Sequence, residues 1–399
     1  MSDIYQSSIG DLEFEDAFDD TEFSFSNEQI DYSSVVIWGT DWTLETIANQ
    51  IVKGNIDLNP HFQRRDAWNE TKKSALVESF IIGMPVPPII LAEKKTEKGK
   101  YLVIDGKQRL LTICQFCTSD AGFDQLRIKN LAILKNLNGK TYANLDTEVD
   151  LATYKNMFDN QTMRTVVIKN WPNEEFLYSI FLRLNTGMVM LSPQELRQAL
   201  HSGEFLTFLD TATAESKQFH RLLKNDKADS RMRDIELALR AFAWKFYFEG
   251  YKGNFKLFLD DTCRKLNVSW ATDESDIKAY FLEIENAIDF VYEIFGAKAF
   301  SKPNTTRYAF NRALYEVLIY YFSIPDVRKM ITKNMKVQIL EQFNQLCDSD
   351  KSFFQCISSG FSHTTNIAYR FEKIHDLITS IVNIQIPSIG LDENGFTVK

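Results

Sequence analysis

The sequence predicts an α+β protein in which a small mixed sheet comes first and an all-helical part follows. Short β-branched runs alternate with helical patterns up to about residue 203. Beyond that point the strand patterns vanish, and long segments with apolar residues at a spacing of 3.6 take over. With 399 residues, 44% hydrophobic and 25% charged, the chain has the composition of a folded protein with more than one domain.

Charge is distributed unevenly and suggests the domain limits. Residues 1–52 contain 12 Asp and Glu and no Lys or Arg, so the net charge of −9 leaves +3 for the rest. We expect four parts, which are an acidic leader at 1–34, a sheet-containing domain at 35–203, a helical domain at 204–385 and a tail at 386–399. The acidic composition predicts a disordered leader. Its interspersed phenylalanines leave open that it folds onto a basic groove or docks a partner.

Several classes of protein are excluded by composition. The N-terminus lacks the basic and apolar regions of a secretory signal, and no apolar run approaches the roughly 20 residues that span a bilayer. Five cysteines are too few for a disulfide scaffold of this length. We therefore expect a cytoplasmic protein without a membrane segment.

The elements of the first domain follow from periodicity and from capping residues. Residues 35–38 form a strand or an anchored extended segment, and apolar spacing predicts a helix over 42–53. Asn69 is a helix N-cap, and Ser192 opens a later helix with a capping box and Pro193 at its first position. The remaining predicted elements are strands at 89–93, 101–104 and 164–169, a helix from Lys107, a helix at 174–184, and helices at 231–249, 274–295, 305–323, 326–347 and 365–382.

The strongest candidate site is the turn at residues 105–109, Asp-Gly-Lys-Gln-Arg. A strand ends at Asp105, and a helix starts directly after Gly106, so the free N–H groups of its first turn point at one place. Lys107 and Arg109 add positive charge, and Asp105 could hold Mg²⁺ or orient a water molecule. A tight turn with a solvated basic helix start explains the same residues equally well.

Two further segments carry polar and basic residues in suggestive places. Residues 59–65 place two adjacent arginines near Trp68, which suits a phosphate backbone or a base, or a surface loop anchored by aromatic residues. Residues 183–187, Arg-Leu-Asn-Thr-Gly, break a helix and offer donors in a loop, or form an ordinary helix C-cap.

Taken together, these motifs resemble the N-terminal domain of GmrSD-type restriction proteins, which has the ParB/sulfiredoxin-like fold. The resemblance spans about residues 40–205. The matching segments, in order, are Phe62-Gln63-Arg64, Trp68, Gly83 to Ile89, Ile104 to Leu110, Arg183 to Gly187, Leu191, and Gln194 to Arg197. The family signature reads Asp-Gly-Gln-Gln-Arg, and this chain has Lys107 at the third position.

The resemblance implies nucleotide binding, and often hydrolysis, within bacterial systems that restrict phage DNA. Carried over residue by residue, Asp105, Gln108 and Arg109 are catalytic, and Asp105 is the residue that could hold Mg²⁺. The implied nucleotide-binding residues are Gln63, Arg64, Gly106, Lys107, Arg183, Asn185 and Thr186.

Histidine and cysteine patterns give no further catalytic centre. Many relatives carry a C-terminal HNH nuclease, but none of the five histidines of this chain lies in a paired His/Asn/His setting. We therefore predict that this chain has no nuclease domain. Cys114 and Cys117 lie one helical turn apart without a second pair, and we interpret them as buried helix residues.

Two functional hypotheses follow. The first is a nucleoside triphosphatase of an anti-phage system, which uses Mg²⁺, senses DNA and relies on a partner nuclease or effector chain for cleavage. The second is a DNA-binding sensor that uses the same pocket without hydrolysis. A toxin-like or signalling component that does not contact DNA is a third possibility, and each of these proteins could form a homo-oligomer.

The leader gives a first test. Deleting residues 1–34 should tighten DNA binding at low salt, because a tethered acidic segment reaches a local concentration on the order of millimolar and competes with DNA. The gain should shrink as salt rises, as phosphate contacts do. Fluorescence polarisation with labelled duplex at two salt concentrations measures both effects. Full-length protein whose leader acids are changed to Asn and Gln should behave like the deletion. Equal affinities at low salt would contradict the prediction.

Overall fold

The computed structural model describes residues 33–58, 68–118, 123–184, 192–303 and 309–398. These residues fall into two compact units. The sheet unit comprises the described residues up to Ser202 together with Ser230–Met232, and the helical unit comprises Gly203–Asp229 and the residues from Arg233 onward.

The sheet unit is built on four strands and seven helices. The strands are β1 (Val36–Thr43), β2 (Ile89–Glu93), β3 (Tyr101–Asp105) and β4 (Thr162–Lys169). The helices are α1 (Leu44–Val52), α2 (Glu70–Ile81), α3 (Lys107–Cys117), α4 (Tyr142–Thr147), α5 (Ala152–Asn160), α6 (Glu174–Leu184) and α7 (Pro193–Leu200). The strand order is β1-β4-β2-β3. β2 pairs parallel with β4, and the other two pairs are antiparallel, so the predicted mixed sheet is confirmed.

Local sequence signals start the helices as expected. The Asn69 side chain accepts a hydrogen bond from the Lys72 N–H at 2.9 Å. The Ser192 hydroxyl accepts from the Glu195 N–H at 3.2 Å, and the Glu195 carboxylate accepts from the Ser192 N–H at 2.6 Å. This reciprocal pair is the predicted capping box of α7.

The core of the sheet unit lies between the sheet and helices α1, α2, α3 and α5. Its aromatic centre is Phe158. The centroid of the Phe158 ring lies 5.0 Å from that of Phe116 and 6.1 Å from that of Phe80, and both pairs are T-shaped. Leu110 and Val167 are fully buried in the same cluster. α3 is therefore fixed along its length, so its N-terminus holds a defined position at the end of β3.

A buried carboxylate ties α2 to the loop that follows α3. Glu78 accepts hydrogen bonds from the backbone N–H groups of Ala132, Ile133 and Leu134 at 2.6 to 3.1 Å. Burial by itself raises the pKa of this carboxyl. The three N–H donors more than offset that effect, so the pKa of Glu78 lies below its ordinary value of 4.5.

The helical unit contains nine helices and one hairpin within its described residues. The helices are α8 (Glu204–Glu215), α9 (Lys217–Leu223), α10 (Arg233–Tyr247), α11 (Phe255–Phe295), α12 (Arg312–Phe322), α13 (Pro325–Met330), α14 (Lys333–Ser349), α15 (Lys351–Cys356) and α16 (Thr364–Val382). The hairpin consists of β5 (Ile389–Asp392) and β6 (Gly395–Val398). Among the described residues no helix is both long enough and apolar enough to cross a bilayer.

A buried ion network joins three helices of this unit. Arg240 of α10 donates to Glu236 at 3.0 Å and to Glu316 of α12 at 2.7 Å. Arg370 of α16 lies 3.8 Å from the second Glu316 oxygen and donates to the Cys356 carbonyl at 2.9 Å. Removing one member of such a network leaves an uncompensated buried charge, so the network fixes how the three helices pack.

The structure corrects three expectations for the second half. Residues 386–399 were expected to form a tail, and residues after 204 to be wholly helical, yet residues 389–398 form the β5–β6 hairpin. Phe396 packs on Trp244 at 5.8 Å, and strands of four residues are too short to give a periodic pattern. The helix predicted at 274–295 begins at Phe255, because burial of residues such as Trp270 overrides the weak helix formers at 267–269.

Replacing Glu78 by Gln should lower the free energy of unfolding by about 2 kcal/mol, because a buried N–H of the 132–134 loop would then face a donor instead of an acceptor. The folded-state pKa is lowered, so the stabilisation is present above pH 4.5 and is lost as the pH falls below it. The deficit of the variant should therefore narrow in acid. Urea titrations at neutral and acidic pH measure this. Glu70→Gln, on the same helix but exposed, is the matched control and should change stability little. An equal deficit at both pH values would contradict this account.

Candidate active site at the β3–α3 turn

The site is built on a strand that turns into a helix without a connecting loop. Gly106 is the single residue between β3 and α3, and its φ of +99° is a conformation that other residues rarely adopt. A Cβ atom at this position would lie 2.5 Å from Cγ2 of Ile89 in the neighbouring strand. Only glycine therefore lets the chain pass this close to β2, and the helix N-terminus opens at the end of the sheet.

Arg109 is clamped across this turn. Its Nη2 atom donates to Oδ2 of Asp105 at 2.7 Å and to the carbonyl oxygen of Pro88 at 3.1 Å. Its Nε atom is buried and has no hydrogen-bond partner among the described residues. The guanidinium is thus held on the turn with donor capacity left over, which is what a group that grips phosphate oxygens requires.

Lys107, which the sequence analysis assigns to nucleotide binding, is paired with a carboxylate of the protein itself. Its ammonium donates to Oε1 of Glu195 at 3.2 Å, and the two side chains are only 7% and 9% exposed. The same Glu195 closes the capping box of α7 through its other oxygen. Lys107 therefore links the turn to α7, and a phosphate there would have to compete with a buried carboxylate for its charge.

Gln108 completes the motif. It is half-buried in the first turn of α3, and its Oε1 atom is buried without a partner in the described part of the chain. A buried carbonyl oxygen of this kind costs about 1–3 kcal/mol when it is left unpaired. A ligand or an ordered water molecule donating to Gln108 would remove that cost.

Side-chain charges at the turn cancel in pairs. Arg109 faces Asp105, and Lys107 faces Glu195. The positive potential of the site therefore comes mainly from the N-terminus of α3, where the first backbone N–H groups have no partner within the helix. This is the arrangement that binds phosphates in proteins with a strand–turn–helix site.

Asp105 fits the role of a magnesium ligand. Its side chain is 36% exposed, and one of its oxygens accepts from Arg109, which leaves the other free to face an ion. Magnesium in nucleotide sites is held by one or two carboxylates together with phosphate oxygens and water. At this turn Asp105 is one such carboxylate, and bound phosphate and water would have to supply the other ligands.

The other predicted site residues are distributed as follows. Arg183 is exposed near the end of α6, a helix that packs against β3. Gln63, Arg64, Asn185 and Thr186 lie outside the described residues. Sequence reasoning missed the partner role of Glu195, although its capping-box position had already drawn attention to it.

Two cysteines lie one helical turn apart in α3. Burial raises the pKa of the Cys114 thiol to about 12 and raises that of Cys117 as well. Both thiols are free, and Cys117 donates to the carbonyl of Ile113. The interpretation as a buried helix residue is confirmed for Cys114, whereas Cys117 is half-buried at the end of α3.

Gly106→Ala should damage the site through both backbone strain and the clash with Ile89, at a cost of about 2–4 kcal/mol in unfolding free energy. Gly99→Ala is the matched control, because Gly99 has a φ of +83° but nothing within 4 Å of an added Cβ. The control should show the backbone strain alone. Urea denaturation of both variants separates the two effects, and equal losses would mean that the close approach to Ile89 is unimportant.

Comparison with protein families matches the part of the chain that contains this turn. Residues 44–202 match the model of the GmrSD restriction endonuclease, N-terminal domain. No HNH nuclease family was found in the chain. Searches of curated proteins and of solved structures gave no match. The matched range contains β2, β3 and β4, the Gly106 turn and α7. Residues 44–202 of this chain are thus similar to a GmrSD-type N-terminal domain.

Proposed function

We propose that this chain is a nucleotide-binding component of a restriction-type defence system directed against phage. The restriction context comes from the matched domain. The nucleotide site is the β3–α3 turn, and the observation that supports it most is the helix N-terminus held open by Gly106 beside Arg109.

In this proposal the triphosphate lies against the first turn of α3. The backbone N–H groups of that turn donate to phosphate oxygens, and Arg109 adds charged hydrogen bonds from the guanidinium atoms that Asp105 does not use. The buried Nε atom of Arg109 then gains an acceptor. Bound Mg²⁺ would neutralise phosphate charge and polarise the terminal phosphoryl group.

The proposal also includes hydrolysis of the bound triphosphate. Asp105 is the carboxylate of the motif, and the oxygen that does not accept from Arg109 either holds Mg²⁺ or orients a water molecule for attack on the terminal phosphate. Arg109 holds the other oxygen in place. We assign DNA sensing to this chain and cleavage of DNA to a partner chain.

A second candidate function is DNA binding by the same turn without turnover. The pairing of Arg109 with Asp105 favours it, because the carboxylate that hydrolysis would need is already engaged by a guanidinium. Phosphate contacts would then position DNA, as they do in most DNA-binding proteins.

Arg109→Ala should weaken triphosphate binding by about 10- to 100-fold, the effect of losing one or two charged hydrogen bonds. Phosphate release from ATP and GTP with Mg²⁺, with and without DNA, should fall to background. Arg164→Ala, which removes an exposed arginine paired with Asp41 on the sheet, is the control and should leave both unchanged.

The outcomes separate the hypotheses. Unchanged turnover in Arg109→Ala would exclude the turn as the catalytic site. Salt-dependent DNA binding that needs Arg109, without phosphate release from any triphosphate, would favour the DNA-binding module.

A further inference from the structure

Helix α7 buries polar side chains where an ordinary core helix buries apolar ones. Gln194, Glu195, Arg197 and Gln198 are all at most 9% exposed. The roles of Glu195 and Arg197 are met within the fold, since Glu195 binds Lys107 and Arg197 donates to Gln194. The two glutamines each retain a buried amide atom without a partner among the described residues.

The orientation of the Gln194 amide is fixed by chemistry. Its Oε1 atom accepts a hydrogen bond from Nη1 of Arg197 at 2.6 Å. A guanidinium only donates, so the oxygen of the amide and not its nitrogen must face it. The Nε2 donor of Gln194 is therefore directed elsewhere, and the residue is fully buried.

Gln198 presents the complementary atom one turn further on. Its Oε1 acceptor is buried without a partner in the described chain, and the residue is 3% exposed. Side chains four apart share one face of a helix, so the free donor of Gln194 and the free acceptor of Gln198 lie on the same face.

That face is turned toward the β3–α3 turn. Glu195 precedes Gln198 by three positions and therefore belongs to the same face, and its carboxylate binds Lys107 at 3.2 Å. α7 also packs against β3. The free amide atoms thus lie on the side of α7 that adjoins the proposed phosphate site.

We propose that Gln194 and Gln198 contact the nucleobase of the nucleoside triphosphate whose phosphates bind at the β3–α3 turn, an inference that rests on the proposed function. A nucleobase edge offers a donor beside an acceptor, and paired amide atoms match such an edge. Because a ligand without a base leaves the buried amide atoms unpaired, the site selects strongly for a base that satisfies them.

Binding of ATP, GTP, CTP, UTP and ribose 5-triphosphate to the full chain tests the proposal, with Mg²⁺ present. Ribose 5-triphosphate keeps the sugar and the phosphates and lacks only the base. The wild type should prefer one nucleotide over ribose 5-triphosphate by about 10-fold or more, as a bidentate base contact implies. Equal affinity for all five would overturn base recognition and leave the phosphate site standing. If none of them binds, both proposals are wrong.

Two variants identify the residues. Gln194→Glu keeps an oxygen facing Arg197 and replaces only the donor, and Gln198→Met removes the acceptor at similar volume. Each should bind the preferred nucleotide about 10-fold more weakly and bind ribose 5-triphosphate as the wild type does. Gln125→Glu, the same change at an exposed position of this unit, should have no effect.

Thermal melting of each variant guards against misfolding. If Gln194→Glu fails to fold, Gln198→Met and the wild-type preference still decide the question. An equal loss of affinity for ribose 5-triphosphate in a folded variant would show that the glutamines only support the fold, and this would overturn their assignment as base contacts.

Discussion

The close approach of Gly106 to Ile89 is the constraint on which the sheet unit depends. Because no side chain stands between β3 and β2 at this point, the chain passes from strand to helix in one residue. Asp105 and Arg109 are thereby placed four positions apart across the turn, where their side chains meet. The burial of α3 against Phe158 and Leu110 then holds its N-terminus in place. A longer connection between β3 and α3 would be compatible with the same strand pairing, but it would move the side chains of Asp105 and Arg109 apart.

The pairing of charges around this turn gives the site a particular character. Free lysine and arginine side chains would attract any anion, whereas two internal ion pairs leave the backbone dipole of α3 as the main attraction. Fixed backbone donors need no reorganisation when a phosphate arrives. Lys107 in particular carries its charge into the protein, toward α7. The lysine that distinguishes this chain from the family signature is therefore better understood as a structural link than as a phosphate ligand.

Features set by neighbouring residues could be predicted from the sequence, and features set by distant ones could not. The turn at Gly106, the Asn69 cap and the capping box of α7 are local, and all three are confirmed. The bond from Lys107 to Glu195 joins residues 88 positions apart, and nothing in either local pattern specifies the other. The β5–β6 hairpin could not be predicted from the sequence for a similar reason. Its four-residue strands are stabilised by the packing of Phe396 on Trp244 and by the Asp392 turn, neither of which leaves a periodic signal.

The buried polar side chains of α7 raise the question of why the helix carries them. A helix of eight residues has little intrinsic stability, and apolar residues in place of its four buried polar ones would stabilise it more. Glu195 and Arg197 recover part of the desolvation cost through the capping box, Lys107 and Gln194. The free amide atoms of Gln194 and Gln198 recover none of it within the described fold. A protein that keeps unpaired buried donors and acceptors beside the proposed phosphate site is less stable there than it could be. Such local losses of stability are concentrated where a ligand supplies the missing partners.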